Sequence, residues 1–391
     1  MTMGKARKRI LFTGYAPIHF ICFLPVYQRL AADQRVELFL SGGFKEDDGD
    51  VVSYRLRGFY DPFPVDRSRV IPIEKAREEH FDVLVCAHLS DSLFPGSVNK
   101  KVQIFHGVSF KNLAVREKAL RYDMLCLPGR YHSELYRKNG FIRADGPACL
   151  LTGVPKTDAL VTGALDRDAL LRGLGVDPSL PTLLFAPTGD KHNALDTMGV
   201  EVIRAIRDAG PYNLLVKPHD HPKKDHDWFT ELEPLESDRV RLVRDKDVIP
   251  YLHAADLLLT DASSVAVEYT LLDRPIIFLD VPKLLKKLRE RAPALDLVTY
   301  GRKIGRLVKK TEDLATAVAD SLAHKRRKSK LRRAMARHVF YSPGGATERV
   351  AGVILYAAGL TEIPAEVEVL RPDPPDTASR DSLPATGPAG I

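Results

Sequence analysis

This 391-residue sequence contains no long apolar run. Its apolar segments, at residues 10–12, 83–86, 183–186 and 257–259, fall far short of the roughly 20 residues that a membrane-spanning helix needs. No span is therefore expected. The basic N-terminus (Lys5, Arg7, Lys8, Arg9) leads into a short apolar stretch that closes at Thr13-Gly14, with no secretory core and no small-residue cleavage site. Cysteine is scarce as well. Cys22, Cys86, Cys126 and Cys149 lie far apart with no C-x-x-C pair, which speaks against zinc or redox chemistry and for buried, reduced thiols. These absences together suggest a cytoplasmic protein. An aromatic-studded basic groove is missing too, so nucleic acid is not an expected partner.

What the chain does have is enough apolar residues (45%) to bury a substantial core, over a length that suits two domains better than one. A net charge of +7 favours anionic partners, whether nucleic acid, a phosphorylated substrate or a membrane surface. The cations gather late: Lys283, Lys286, Lys287, Arg289 and Arg291, then Arg302, Lys303, Arg306, Lys309 and Lys310, then residues 325–337. Such segments are either solvated helix faces or attractors of anionic headgroups, gaining about 1 kcal/mol per basic residue at a charged bilayer.

Strand-like and helix-like stretches alternate throughout, the pattern of parallel α/β sheets. One series runs from residue 9 to about 151. A second begins near Thr182 and includes strands at 183–186, 213–217, 240–243, 257–260 and 275–279. The expected architecture is α/β, with two Rossmann-like lobes: an acceptor-side domain over 1–155 and a nucleotide-donor domain over 156–370. The tail, 371–391, is rich in Pro, Asp, Ser, Thr, Ala and Gly and is expected to be disordered. In open parallel sheets ligands sit at the carboxyl ends of strands, where the following helices point free N–H groups.

Every informative motif falls at such an end. In Leu257-Leu258-Leu259-Thr260-Asp261-Ala262-Ser263-Ser264 a buried strand runs into a helix start, a cradle for a diphosphate in which Ser263 and Ser264 add donors. Glu268, one turn on, shares a face with Ser264 and is placed to reach ribose or polyol hydroxyls. The bland alternative is that Asp261 or Ser263 only caps the helix. In Ile104-Phe105-His106-Gly107-Val108-Ser109-Phe110-Lys111 a strand delivers His106, a candidate general base, beside a glycine that permits close approach and a lysine that can reach an anion. Val216-Lys217-Pro218-His219-Asp220-His221 offers a Lys/His pair to phosphate oxygens, with no third ligand nearby to make a metal site. Phe185-Ala186-Pro187-Thr188-Gly189 adds the hydroxyl of Thr188.

In order, His106-Gly107 with Lys111, Gly153-Val154-Pro155-Lys156-Thr157-Asp158, Phe185-Ala186-Pro187-Thr188, Lys217-Pro218-His219, residues 247–256, Thr260-Asp261-Ala262-Ser263-Ser264 and Gly345-Ala346-Thr347-Glu348-Arg349 resemble the CDP-glycerol glycerophosphotransferase family, the teichoic-acid primases and polymerases. The resemblance implies two Rossmann lobes facing each other across a cleft (GT-B type) and CDP-glycerol or a related CDP-polyol as donor. It also implies a membrane-lipid-linked acceptor, an anionic inner membrane face to which the enzyme is peripheral, and two essential histidines, on His106 and His219. Lys111, Thr188, Lys217, His221, Asp261, Ser263, Ser264 and Glu268 are the expected donor-binding residues. No cofactor or protein-bound metal is expected, although Mg²⁺ could accompany the donor. The sequence departs from the family pattern at Ala262, where an aromatic residue is usual, and at Lys156-Thr157, where Arg-Asn is common; His221 competes with His219. Other classes compatible with the residues are a nucleotide-sugar glycosyltransferase or epimerase of the same architecture, and a non-catalytic basic nucleic-acid-binding protein.

Overall fold

The structure is a computed structural model that describes residues 6–47, 52–219, 227–292 and 295–372. His221 and residues 373–391, the greater part of the expected tail, lie outside the described residues.

The first sheet is built on β1 (Lys8–Gly14), followed by α1 (Pro17–Ala31) and β2 (Val36–Gly42). A polar excursion then forms a small antiparallel hairpin, β3 (Phe44–Asp47) and β4 (Val52–Arg55). Next come β5 (His80–Cys86), β6 (Ser97–Ile104), β7 (Met124–Leu127) and β8 (Ala148–Leu151). The second sheet comprises β9 (Thr182–Phe185), β10 (Asn213–Val216), β11 (Val240–Leu242), β12 (Leu257–Thr260), β13 (Ile276–Leu279) and β14 (Arg306–Val308). Its helices include α2 (Ala194–Met198), α3 (Val265–Tyr269), α4 (Pro282–Arg291) and α5 (Ser329–Val339). The four-residue strands β9, β10, β12 and β13 are buried throughout, as strands covered on both faces must be, so they read as apolar runs of three or four residues.

Strand order determines where ligands can enter. The first sheet runs β15-β8-β7-β6-β5-β1-β2 and the second β11-β10-β9-β12-β13-β14, where β15 is Glu368–Val369. In each, the chain winds outward in both directions from one strand pair, β1/β5 in the first and β9/β12 in the second. Helices then leave on opposite faces, and a crevice opens at the carboxyl ends of that pair. These ends carry Gly14-Tyr15 with Cys86-Ala87-His88, and Phe185 to Thr188 with Thr260 to Ser264.

One boundary differs from expectation. After α5 the chain returns to the first lobe, where α6 (Ala346–Ala357) packs Val350, Ala351, Val353 and Ile354 into the same core as Phe12, Phe20 and Val85. β15 then pairs antiparallel with β8. Residues 346–369 therefore belong with the first sheet, because the apolar face of α6 and the open edge of β8 both need covering. Two of the motifs make this return possible. Asp158 accepts hydrogen bonds from the backbone N–H of Gly344, Ala346 and Thr347 (3.1, 3.1 and 2.7 Å), capping α6, and Arg349 Nε donates to Thr152 O at 2.8 Å. Gly153 sits at φ +86°, where a Cβ would lie 2.7 Å from Tyr341 O.

The basic run 325–337 is partly structural. Arg332 is buried, with Nε on Asp273 Oδ1 (3.0 Å) and its terminal nitrogens on the carbonyls of Arg327, Asp273 and Lys325; Lys328 Nζ donates to Gly305 O at 2.6 Å. Arg327 pairs with Asp320. Arg326, Lys330, Arg333 and Arg337 face solvent around an exposed Leu331, and Lys325, Arg327 and Lys328 are exposed as well. No helix among the described residues is long and apolar enough to cross a membrane.

Candidate active site

His106 stands just past the end of β6 with its ring partly in solvent. Its Nδ1 lies 2.8 Å from Ala87 O, and a carbonyl only accepts, so Nδ1 carries the proton and Nε2 presents a lone pair. Desolvation by the protein groups around it, with Lys156 nearby, holds its pKa below the ordinary imidazole value. It is therefore a neutral base at physiological pH. The backbone behind it is fixed by the Cys22 thiol, which donates to His106 O at 3.2 Å; burial pushes that thiol up to about 12, so it stays protonated.

Beneath Gly107 lies a buried ion pair, Lys156 Nζ to Glu268 Oε1 at 2.7 Å, with the two side chains 4% and 1% exposed. Burial opposes the ammonium, but Glu268 more than offsets it and the Lys156 pKa is raised. Gly107 has φ +148°, and a Cβ there would lie 3.3 Å from Glu268 Oε1, so glycine is what lets the first lobe settle onto the carboxylate of the second. This corrects the expectation for Glu268: it holds the lobes together from below and is not on the cleft surface. Lys156, the departure from the family pattern, is its partner.

Lys111 reaches across the cleft from the first lobe. Its Nζ donates to Thr188 Oγ1 (2.8 Å) and pairs with Asp190 Oδ2 (2.5 Å), and Asp190 also meets Arg291 of α4 at 2.9 Å. Burial works against the Asp190 carboxylate, but Lys111 and Arg291 outweigh it and hold its pKa at about 2. Phe110 is clamped from the other side: Asp296 N donates to its carbonyl, and a Cβ on Gly301 would lie 2.5 Å from its ring.

The remaining residues converge on the β9/β12 crevice. Asp261 is fully buried, its oxygens accepting from the backbone N–H of Thr188 (2.8 Å), Ala194 (2.8 Å) and Ala262 (2.6 Å). Expected among the donor ligands, it instead stitches the Thr188 loop and α2 to the end of β12, with no oxygen turned to the cleft. Ser263 and Ser264 are half-buried at the start of α3, and neither hydroxyl hydrogen-bonds another described residue. Lys217 is 9% exposed with Nζ on Asp245 O, and His219 is exposed. A Cβ on Gly189 would fall 2.7 Å from His219 Nδ1, so that glycine seats the imidazole against the Thr188 loop. Asp247, singled out only as part of a motif, is half-buried, its Oδ1 on Ile249 N (2.9 Å). Burial raises its pKa against the pull of Lys156 and Lys217. Its signal in the sequence was faint, a single aspartate before a Pro-bearing helix.

The arrangement can deprotonate a hydroxyl at His106 and receive a diphosphate among Ser263, Ser264, Lys217, His219 and Lys111. Among the described residues no group of three or more His, Cys, Asp or Glu could hold a metal ion.

The family model described as CDP-glycerol:poly(glycerophosphate) glycerophosphotransferase matches residues 75–356, well over half of the chain and all of the site just described except Cys22. Two curated relatives align at lower coverage. Teichoic acid poly(glycerol phosphate) polymerase of Staphylococcus epidermidis is 26% identical over 237 residues, 51% of this chain and 32% of that protein. Teichoic acid glycerol-phosphate primase of Bacillus spizizenii is 28% identical over 161 residues, 40% of each. The aligned part of this chain thus spans well under half the length of either. Among solved structures, the wall teichoic acid polymerase TagF superposes with a TM-score of 0.66 at 18% identity, covering 91% of this chain and 90% of that one. A UDP-N-acetylglucosamine 2-epimerase gives 0.56 at 16% identity, covering 92% and 98%. At these identities the likeness is one of fold: two facing α/β lobes.

Proposed function

This chain belongs to the CDP-glycerol:poly(glycerophosphate) glycerophosphotransferase family, and on that basis we propose that it moves glycerol phosphate, or a related polyol phosphate, from a CDP-activated donor to a hydroxyl of a membrane-lipid-linked acceptor, releasing CMP. The observation that supports the reading is the contact of His106 Nδ1 with Ala87 O, which leaves Nε2 as the unprotonated nitrogen of the neutral ring.

In the proposed step His106 Nε2 takes the acceptor's hydroxyl proton while the oxygen forms a bond to the phosphorus that bears glycerol. The bond from that phosphorus to the bridging oxygen breaks, and CMP departs with the electron pair. Ser263, Ser264, Lys217 and His219 face the charge that builds on the diphosphate, and Lys111 approaches from the other lobe. The protein does no covalent chemistry of its own, so positioning and preorganised charge supply the rate. A magnesium ion carried in by the donor would add positive charge at the same oxygens. We place the enzyme at the inner face of the cell membrane, held by Arg326, Lys330, Arg333 and Arg337 with Leu331 among them.

Incubation with CDP-glycerol and a soluble polyol-phosphate acceptor, set beside a panel of UDP- and CMP-sugars, tests the reading. Acceptor-dependent CMP release from CDP-glycerol is the expected result. UDP release from a UDP-sugar, or C2 epimerisation, would replace it with the chemistry of the epimerases that share the fold.

A further inference from the structure

The crevice of the first sheet has been given no occupant so far. At the β1/β5 switch point three imidazoles gather: His19 from the first turn of α1, His88 from the end of β5, and His106. The ring centre of His19 lies 5.3 Å from each of the other two, and Tyr15 packs edge-on against it at 4.4 Å. Hydrogen bonds fix the protons. Tyr15 N–H donates to His19 Nδ1 at 3.3 Å, so in the neutral ring the proton is on Nε2. Ser90 N–H donates to His88 Nδ1, leaving His88 Nε2–H for Thr13 Oγ1 at 3.4 Å.

His88 is thereby satisfied at both nitrogens, but His19 is not. His19 is 3% exposed, and its Nε2 has no hydrogen-bond partner among the described residues, yet that atom is not sealed from solvent. Its ring neighbours are Tyr15, His88 and His106, so the small exposed part of this side chain opens beside the proposed base. Burial, with His88 and His106 adding to it, keeps its pKa well below the ordinary value. Gly14 makes room: a Cβ there would lie 3.0 Å from His19 Cβ. A donor that meets solvent and no protein partner is free to be taken by a ligand hydroxyl.

We infer that His19 is an acceptor-binding residue, whose Nε2–H donates to a second hydroxyl oxygen of a polyol acceptor, next to the hydroxyl that His106 deprotonates. The inference rests on the proposed transfer and specifies its acceptor. The ligand group is a hydroxyl and not a phosphate because Tyr15, His19 and His88 have no Lys or Arg partner among the described residues. Two hydrogen bonds to neighbouring oxygens, one to each imidazole, would orient the attacking oxygen without drawing charge from it.

The test compares wild type with His19→Phe, which keeps a ring and loses both nitrogens, and His19→Gln, which keeps a side-chain N–H. Two soluble acceptors are used, a glycerol-terminated one and its deoxy counterpart lacking the second hydroxyl. His19→Phe should raise the KM for the glycerol-terminated acceptor about tenfold, the worth of one hydrogen bond, and leave CDP-glycerol affinity within about twofold. His19→Gln should recover most of the loss, and the deoxy acceptor should bind wild type and His19→Phe alike by calorimetry. Equal losses with both acceptors, unchanged KM, or a loss confined to acceptors bearing a phosphate would each overturn the inference. If His19→Phe does not fold, the imidazole ¹⁵N–¹H resonance of His19 in wild type decides: it should shift with the glycerol-terminated acceptor and not with the deoxy one. Should wild type release no CMP from CDP-glycerol, the proposed function falls, while calorimetry and the resonance still decide the role of His19.

Discussion

The two crevices that face each other across the cleft are built from opposite materials. The β1/β5 crevice is lined by neutral hydrogen-bonding groups, Tyr15, His19, His88 and Ser90, with its imidazoles held uncharged by burial; His88 is lowered to about 4. The β9/β12 crevice is lined by Lys217, His219 and hydroxyls, with Lys111 lent by the opposite lobe. The same topology thus presents two chemistries, because a strand end prescribes where a side chain stands and leaves its type open. A neutral face suits an uncharged polyol hydroxyl, a charged one a diphosphate.

Removing the base should erase the functional side of this contrast. His106→Ala is expected to lower kcat by about 10² to 10⁴, the range for losing a positioned acid-base group, with CDP-glycerol affinity nearly unchanged by calorimetry. A parallel loss of donor affinity would move His106 to the charged side.

The seam between the faces comes next. Lys156→Met strands a buried carboxylate, and chemical denaturation should report a loss of about 3–5 kcal/mol. Adding Glu268→Leu to it should restore most of that loss, since a buried pair replaced as a unit leaves no uncompensated charge. If the single variant is as stable as wild type, Glu268 is not under the load that the structure assigns to it.

A smaller effect is expected at the bridge. Lys111→Met should weaken CDP-glycerol binding by about 1.5–3 kcal/mol, the worth of a hydrogen bond to a charged group, while the KM for acceptor stays put. An acceptor effect would show that the lysine serves both faces. Smaller again, per residue, is the membrane surface. Reversing Arg326, Lys330, Arg333 and Arg337 to Glu removes about 1 kcal/mol of attraction for each cation; sedimentation with anionic liposomes should be lost and turnover of a soluble acceptor retained. The least effect is one of pH. Because the folded pKa of His106 is depressed, its base form persists as pH falls through 6.5, so the acid limb of kcat should lie below the ordinary imidazole value.

Sequence patterning revealed the two sheets because fully buried parallel strands must be unbroken apolar runs, as Leu257 to Leu259 are. It also marked His106, Lys217, Ser263 and Ser264, which stand at strand ends or helix starts. Roles decided by partners distant in the chain were illegible. Glu268 looked like a ligand because nothing near it in sequence shows that Lys156 will neutralise it, and Asp261 because its three backbone donors come mostly from another loop. His19 carried no local signature and Asp247 only a faint one, since the first is defined by the rings of His88 and His106 and the second by lysines far along the chain. The return of α6 to the first lobe depends on Asp158 and Arg349, whose motif positions were visible but whose purpose was not.

That return has a bearing on how the chain is made. β8 leaves the ribosome early, but β15, which closes its edge, and α6, which covers the core beside Phe12 and Val85, come only after the whole second lobe has been translated. At 5–20 residues per second the first sheet waits roughly ten to forty seconds with one unpaired edge and an uncovered apolar face. During that interval the nascent chain is a natural client for a chaperone that shields strand edges, and a transcript truncated near residue 345 would leave that vulnerability permanent.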